Sequence, residues 1–182
     1  MDTNLFKGAK YSNKADYFLI VSRLVSYKGI NLAIEAFNTL GWPLIIIGSG
    51  REKKDLQNIA KSNITFITPH LTDSDLLTYY QNCRALIFPG SEDLGLTPIE
   101  AQAVGKPVIA LRSGGTLETI KEGISGEFFD HPNIESLIQT LRLFDKKDYN
   151  SINIRKGVLK FDKEIFKKAF KNIVYTQLAK LD

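Results

Sequence analysis

Ala85-Leu86-Ile87-Phe88-Pro89-Gly90-Ser91-Glu92-Asp93-Leu94-Gly95-Leu96-Thr97-Pro98-Ile99-Glu100 is the stretch whose reading decides the fold. Ala85 to Phe88 is short and wholly apolar, the pattern of a strand buried on both faces. Ile99-Glu100-Ala101-Gln102-Ala103-Val104 reads as a helix, stopped by Gly105 and then Pro107. Pro98 suits its first turn, where a missing N–H leaves no intrahelical bond unmade. Free N–H groups at such a helix start attract anions, phosphates above all. Gly95 lets backbone come close to a ligand where a Cβ would block it.

Two carboxylates, Glu92 in the loop and Glu100 in the helix, would repel a ligand that offered phosphate alone. They suit one that also offers hydroxyls, because an ionised glutamate only accepts hydrogen bonds. Amides for phosphate flanked by carboxylates for hydroxyls describe a nucleotide-sugar. Taken singly, either glutamate reads as a solvated surface acid; the whole run carries the chemistry.

Working outward, Tyr17–Val21, Leu44–Ile47, Ile64–Ile67, Lys106–Ala110 and Gly126–Phe129 are further short apolar runs separated by helical patterns. Six such strands alternating with helices predict an α/β fold, a doubly wound parallel sheet of Rossmann-like type. After the first strand come Arg23 and Lys28, then a helix with Leu32, Ala33, Ala36, Phe37 and Leu40 on one face. Cations at the carboxyl end of a strand sit where open α/β sheets bind ligands. A planar guanidinium fork and a point-charge ammonium suit two phosphates.

Gly48-Ser49-Gly50-Arg51 is half of a dinucleotide fingerprint without its third glycine. It reads as a tight turn, with Gly50 near the ligand and Arg51 opening the next helix. Thr72-Asp73-Ser74-Asp75 precedes apolar residues at helical spacing and reads as a helix cap rather than a metal motif. His70 and His131 have no ligand-like spacing to a carboxylate or thiol, so no metal site is expected. Ser113-Gly114-Gly115-Thr116 opens a helix carrying Leu117, Glu118, Ile120 and Lys121, its glycines allowing backbone to approach a ligand or a partner domain. The end of the chain, 162–181, places Ile165, Phe166, Ala169, Phe170, Ile173, Val174 and Leu178 on one wide apolar stripe.

The 182 residues are 43% hydrophobic and 24% charged, ordinary values for a single globular domain. No apolar run reaches membrane-spanning length. The single cysteine, Cys83, excludes an internal disulfide, fits a reducing compartment and reads as a buried small apolar residue. A formal charge of +4 is modest, and its concentration in the last quarter lacks the interleaved aromatic or glycine-rich elements that nucleic acid binding wants. The basic face reads as solvated, with contact to anionic lipid as the lesser alternative.

The setting E-D-L-G-L-T-P-I-E-A-Q-A-V-G-K-P-V-I-A, with seven residues between Glu92 and Glu100, resembles the signature of retaining family-four glycosyltransferases. It is most similar to mannosyltransferases of bacterial surface-polysaccharide and O-antigen assembly. Leu94 departs from the aromatic usual at its place. The resemblance implies one half of a glycosyltransferase-B fold, the C-terminal donor-binding domain. It further implies catalytic roles for Arg23 and Lys28, on the donor diphosphate, and for Glu92, on the hydroxyls of the transferred sugar. The amides of Gly95, Leu96 and Thr97 would cradle phosphate and sugar, Glu100 would take the ribose hydroxyls, and Pro69 and His70 would lie against the base.

No metal or cofactor is implied. The donor would be GDP-mannose or another nucleoside-diphosphate sugar, and the acceptor a glycan or lipid-linked glycan. By the same resemblance, 1–15 is an interdomain linker, 162–181 a helix crossing back to an N-terminal acceptor domain, and the enzyme cytoplasmic with peripheral contact at the inner membrane face. A donor half alone would bind but transfer little. Two alternatives stand beside this reading. One is a nicotinamide-dinucleotide oxidoreductase domain, although Ile67-Thr68 stand where its ribose-binding acid is required. The other is a non-catalytic nucleotide-sugar-binding module.

Overall fold

The computed structural model describes residues 1–3, 5–6, 17–67 and 71–178. Six strands, β1 (Phe18–Val21), β2 (Leu44–Ile47), β3 (Ile64–Ile67), β4 (Leu86–Phe88), β5 (Val108–Leu111) and β6 (Gly126–Phe129), form one sheet in the order β3-β2-β1-β4-β5-β6. All pairings are parallel, with Phe18 beside Leu44, Leu19 beside Leu86, and Leu86 beside Val108. The chain begins in the middle, walks to one edge, and returns beside β1 to walk to the other. Between β1 and β4 the crossovers diverge, and open sheets of this order hold ligands in the crevice that results.

The helices are α1 (Ile30–Leu40), α2 (Lys53–Ile59), α3 (Asp73–Asn82), α4 (Leu96–Ala103), α5 (Thr116–Thr119), α6 (Ile134–Phe144), α7 (Ser151–Val158) and α8 (Lys163–Leu178). Because strand side chains alternate, β1 feeds two cores. Phe18 and Ile20 pack with Ile34 and Phe37 of α1 and with Leu137, Leu141 and Phe144 of α6. Leu19 joins Leu86, Val108 and Ala110 against Tyr80 of α3 and Ile99 and Ala103 of α4. Burying each large side chain here contributes roughly 1.5–3 kcal/mol. Phe18 also meets Phe37 edge-on at 5.3 Å and stacks on Trp42 at 5.7 Å between ring centres.

Thr72 caps α3 as the sequence predicts. Its hydroxyl accepts from the Asp75 N–H at 3.2 Å, while the Asp75 carboxylate accepts from the Thr72 N–H at 2.9 Å. Cys83 is buried with its thiol donating to the Tyr80 carbonyl at 3.3 Å, and burial pushes its pKa up to about 12, so it packs and does not react.

Several boundaries differ from expectation. β5 starts at Val108 because Pro107 has no N–H for the ladder. α4 starts at Leu96, three residues earlier than the periodicity shows, since Gly95 takes φ 73° and turns the chain directly into the helix. α2 starts at Lys53 rather than Arg51, after a turn in which the Lys53 N–H bonds the Gly50 carbonyl. α5 ends at Thr119, because Ile120 turns extended and buries its side chain.

The N-terminal residues are strapped to the end of the chain. Asp162 accepts from the Thr3 hydroxyl at 2.6 Å and the Thr3 N–H at 3.1 Å, and Arg155 donates to the Thr3 carbonyl at 2.8 Å. α8 then stands clear of the body, with Phe166 65% and Phe170 56% exposed. Among the described residues no helix is long and apolar enough to cross a membrane.

Candidate functional site

The crevice between β1 and β4 collects the side chains that the sequence singles out. Val25 is extended, Ser26–Lys28 make a short 3-10 turn, and Gly29 closes it in the left-handed region at φ 64°. This turn carries Tyr27 and Lys28 back over the end of β1, beside Arg23. Lys28 is buried, and its ammonium pairs with the Glu92 carboxylate that follows β4. Burial lowers the Lys28 pKa, and the nearby Arg23 charge lowers it further. The Arg23 guanidinium donates to the Tyr27 hydroxyl at 2.7 Å.

The Glu92 loop is gripped from the far side by Gly114-Gly115. The Gly115 N–H donates to the Glu92 carbonyl at 2.8 Å. A Cβ on Gly114 would stand 2.3 Å from the Glu92 carbonyl oxygen, and one on Gly115 2.2 Å from that of Asp93. These glycines therefore allow close packing of backbone on backbone. Gly50 packs in the same way, for its Cβ would meet the Leu24 carbonyl oxygen at 2.2 Å. Gly48 and Ser49, rather than Gly50, line the neighbouring recess.

At the start of α4 no side chain caps the helix, so its first amides keep N–H groups without an intrahelical acceptor. Leu96 and Thr97 stand there. One turn on, Glu100 accepts from the buried Tyr80 hydroxyl at 2.7 Å. Burial raises the Glu100 pKa; the Tyr80 bond opposes that shift, and Asp73 adds to it.

Two cavities meet at Arg23. One, of about 470 Å³, is polar and lined by Arg23, Tyr27, Lys28, Ser91, Glu92, Asp93 and Leu94–Leu96. The other, of about 390 Å³, has Val21, Ile47, Leu71 and Leu76 among its walls, with Asp73 and Thr97 at the α3 and α4 side. Arg23, Lys28, Glu92, Gly95 and Leu96 are thus brought together around one cleft, with Thr97 on the adjoining recess. Glu100 lies in neither lining but within the electrostatic reach of Asp73. Pro69 and His70 lie outside the described residues.

Residues 2–156 match the family described as Glycosyl transferases group 1. The chain belongs to this family. An uncharacterised glycosyltransferase of Haemophilus influenzae is 32% identical over 149 residues, covering 75% of this chain and 41% of that protein. The O-antigen chain mannosyltransferase C of Escherichia coli is 28% identical over 134 residues, covering 69% of this chain and 36% of its own length. Among solved structures, Anabaena HepE, crystallised with UDP and glucose, superposes with a TM-score of 0.83 at 18% identity, covering 97% of this chain and 55% of that one. The fold is that of glycosyltransferase-B enzymes, and the chain spans less than half the length of the curated relatives named here. Membership of this family excludes the dinucleotide oxidoreductase reading.

Within this glycosyltransferase domain the arrangement offers two cations and a row of amides for an anion, next to carboxylates that accept from hydroxyls. Sequence reasoning missed Tyr27 and Tyr80 as polar partners. Tyr27 adjoins Lys28 and was open to notice; Tyr80 reads only as one apolar position of α3. Nothing local marks its bond to a residue twenty positions away.

Proposed function

We propose that this domain binds the donor of a retaining, metal-independent hexosyltransferase, with GDP-mannose the first candidate and UDP-sugars next. The observation that carries the reading is the cluster of Arg23, Lys28 and Glu92 beside the uncapped start of α4. The diphosphate lies on Arg23, Lys28 and the amides of Gly95, Leu96 and Thr97. Those charges stabilise the departing nucleoside diphosphate in the way a metal ion does in other enzymes. Lys28 turns from Glu92 to phosphate as the donor enters, and the released Glu92 carboxylate accepts from the sugar hydroxyls. The recess beyond Arg23 takes the nucleoside, with Glu100 accepting from the ribose hydroxyls. The O-antigen mannosyltransferase among the relatives supports mannose as the transferred sugar and a glycan or lipid-linked acceptor.

A second domain completes the reaction. An apolar groove of about 380 Å³ runs between α4 and α8, and its Leu94 and Leu96 also line the polar cleft. A partner domain seated on that groove and on the exposed stripe of α8 closes the cleft and delivers the acceptor. The same reading places the enzyme in the cytoplasm, in peripheral contact with the inner membrane face.

Calorimetric titration with GDP, UDP and GDP-mannose tests the donor reading. Binding of one nucleoside diphosphate, weakened by Arg23→Ala and by Glu100→Ala and indifferent to magnesium, is the expected result. Failure of the wild-type chain to bind any of them overturns it.

A further inference from the structure

Tyr27 has no part in the core: its side chain is 57% exposed on the rim of the polar cleft. Yet it touches both cations of the site. Its hydroxyl accepts from the Arg23 guanidinium at 2.7 Å, and the Lys28 ammonium lies 4.9 Å from the centre of its ring. We infer that Tyr27 is a positioning residue that holds Arg23 and Lys28 together in the geometry that receives a diphosphate. The inference rests on the donor-binding reading above and assigns a role within that site.

The physical need is plain. Two cations crowded at the end of one strand repel each other, and that repulsion contributes to lowering the Lys28 pKa. Arg23 is exposed, so its long side chain is otherwise free to swing into water, away from its neighbour. A tyrosine between them offers each cation a different attraction. The hydroxyl oxygen accepts one guanidinium N–H, and the electron-rich ring face attracts the ammonium. Neither contact neutralises a charge, so both cations remain available to an anion. The Glu92 carboxylate is different, since it must give up Lys28 before phosphate can take its place. Tyr27 can keep its contacts throughout, and a site whose donors are already in place binds without first ordering them.

The backbone supports the assignment. The 3-10 turn between Val25 and Gly29 fixes Tyr27 and Lys28 as neighbours. A Cβ on Gly90 would stand 2.8 Å from the Lys28 Cα, so the β4 loop packs directly under this turn. The turn is seated, while the tyrosine ring stays open to the cleft.

The test is calorimetric titration of the wild-type chain, Tyr27→Phe and Tyr27→Ala with GDP and UDP, and with guanosine and uridine, using the preferred base for comparison. Tyr27→Phe removes only the hydroxyl and is expected to weaken diphosphate binding about threefold. Tyr27→Ala removes both contacts and is expected to weaken it about tenfold or more. Nucleoside affinity is expected to stay unchanged in both, because nucleosides carry no phosphate for the cations. In an Arg23→Ala background the further change Tyr27→Phe is expected to have no effect, since the hydroxyl then has no guanidinium to hold. Equal loss on nucleoside and diphosphate overturns the assignment, because it marks a merely structural role. So does a Tyr27→Phe effect that persists without Arg23, or wild-type affinity in Tyr27→Ala. If the wild-type chain itself binds no diphosphate, the donor reading fails instead.

Discussion

Glu92 and Glu100 flank the first turn of one helix, yet the fold gives them opposite surroundings. Glu92 sits on a loop clamped by Gly114-Gly115 and pairs with a buried ammonium. Glu100 sits on the helix and receives a neutral hydroxyl, from Tyr80. The charge of Glu92 is compensated and exchangeable, because Lys28 can pass to an incoming phosphate. At Glu100 burial raises the pKa, against the opposing pull of the Tyr80 bond and of the N-terminal ammonium, while its carboxylate remains an acceptor for hydroxyls. The difference teaches that two identical side chains in one motif acquire distinct chemistry from the partners that other loops bring to them.

The strongest attack on this contrast removes the cations on the Glu92 side. Combining Arg23→Ala with Lys28→Ala is expected to lower nucleoside diphosphate affinity by about a hundredfold or more, from the loss of charge-assisted bonds, with nucleoside affinity retained. Equal losses for both ligands, read by calorimetry, would break the division of labour.

Gly115→Ala attacks the clamp. The new Cβ collides with the Asp93 carbonyl, so the loop must shift; a destabilisation of about 2–4 kcal/mol and weaker diphosphate binding are expected. Chemical unfolding measures the first and calorimetry the second; an unchanged unfolding midpoint would show that the packing is looser than described.

On the Glu100 side, Glu100→Gln is expected to lower nucleoside and diphosphate affinities alike, by about tenfold. Wild-type nucleoside affinity should fall on acidification, starting at a higher pH than for an ordinary glutamate, because the raised pKa protonates the acceptor early. In Glu100→Gln that limb should flatten. The linked stability runs the other way: the native state takes up the proton first, so this group's contribution to stability falls as pH rises through its raised pKa. A pH limb that survives in Glu100→Gln would assign the titration to another group.

The smallest effect serves as a control. Asp162 is held at about 2 by the Thr3 hydroxyl and by backbone N–H groups, so its stabilising contribution is present above the unfolded value of 3.8 and is lost as pH falls through about 2. Asp162→Asn is expected to flatten the acid limb of unfolding, followed by circular dichroism, with nucleotide binding untouched. A change in binding would mean that the strapped ends of the chain reach the cleft.

What the sequence by itself determined is local. Short, mostly apolar runs specify the six strands, the side chains of Thr72 and Asp75 cap α3 across three positions, and 3.6-residue spacing marks the stripe of α8. The spacing of Glu92 and Glu100 also carried the family, because that motif is a contiguous loop and helix start. The start of α4 escaped, since Gly95-Leu96-Thr97 carries no helical period of its own and it is the turn at Gly95, at φ 73°, that takes the chain into the helix. Only the tertiary structure decided the partners: Lys28 for Glu92, Tyr80 for Glu100, and loop backbone for the glycines at 50, 114 and 115. The Lys28–Glu92 pair joins segments far apart in the chain that meet because β4 returns beside β1. A strand's own residues encode that it pairs, through burial and alternation. Which neighbour it takes depends on how all the crossovers pack at once, and it is that choice which brings Lys28 to Glu92.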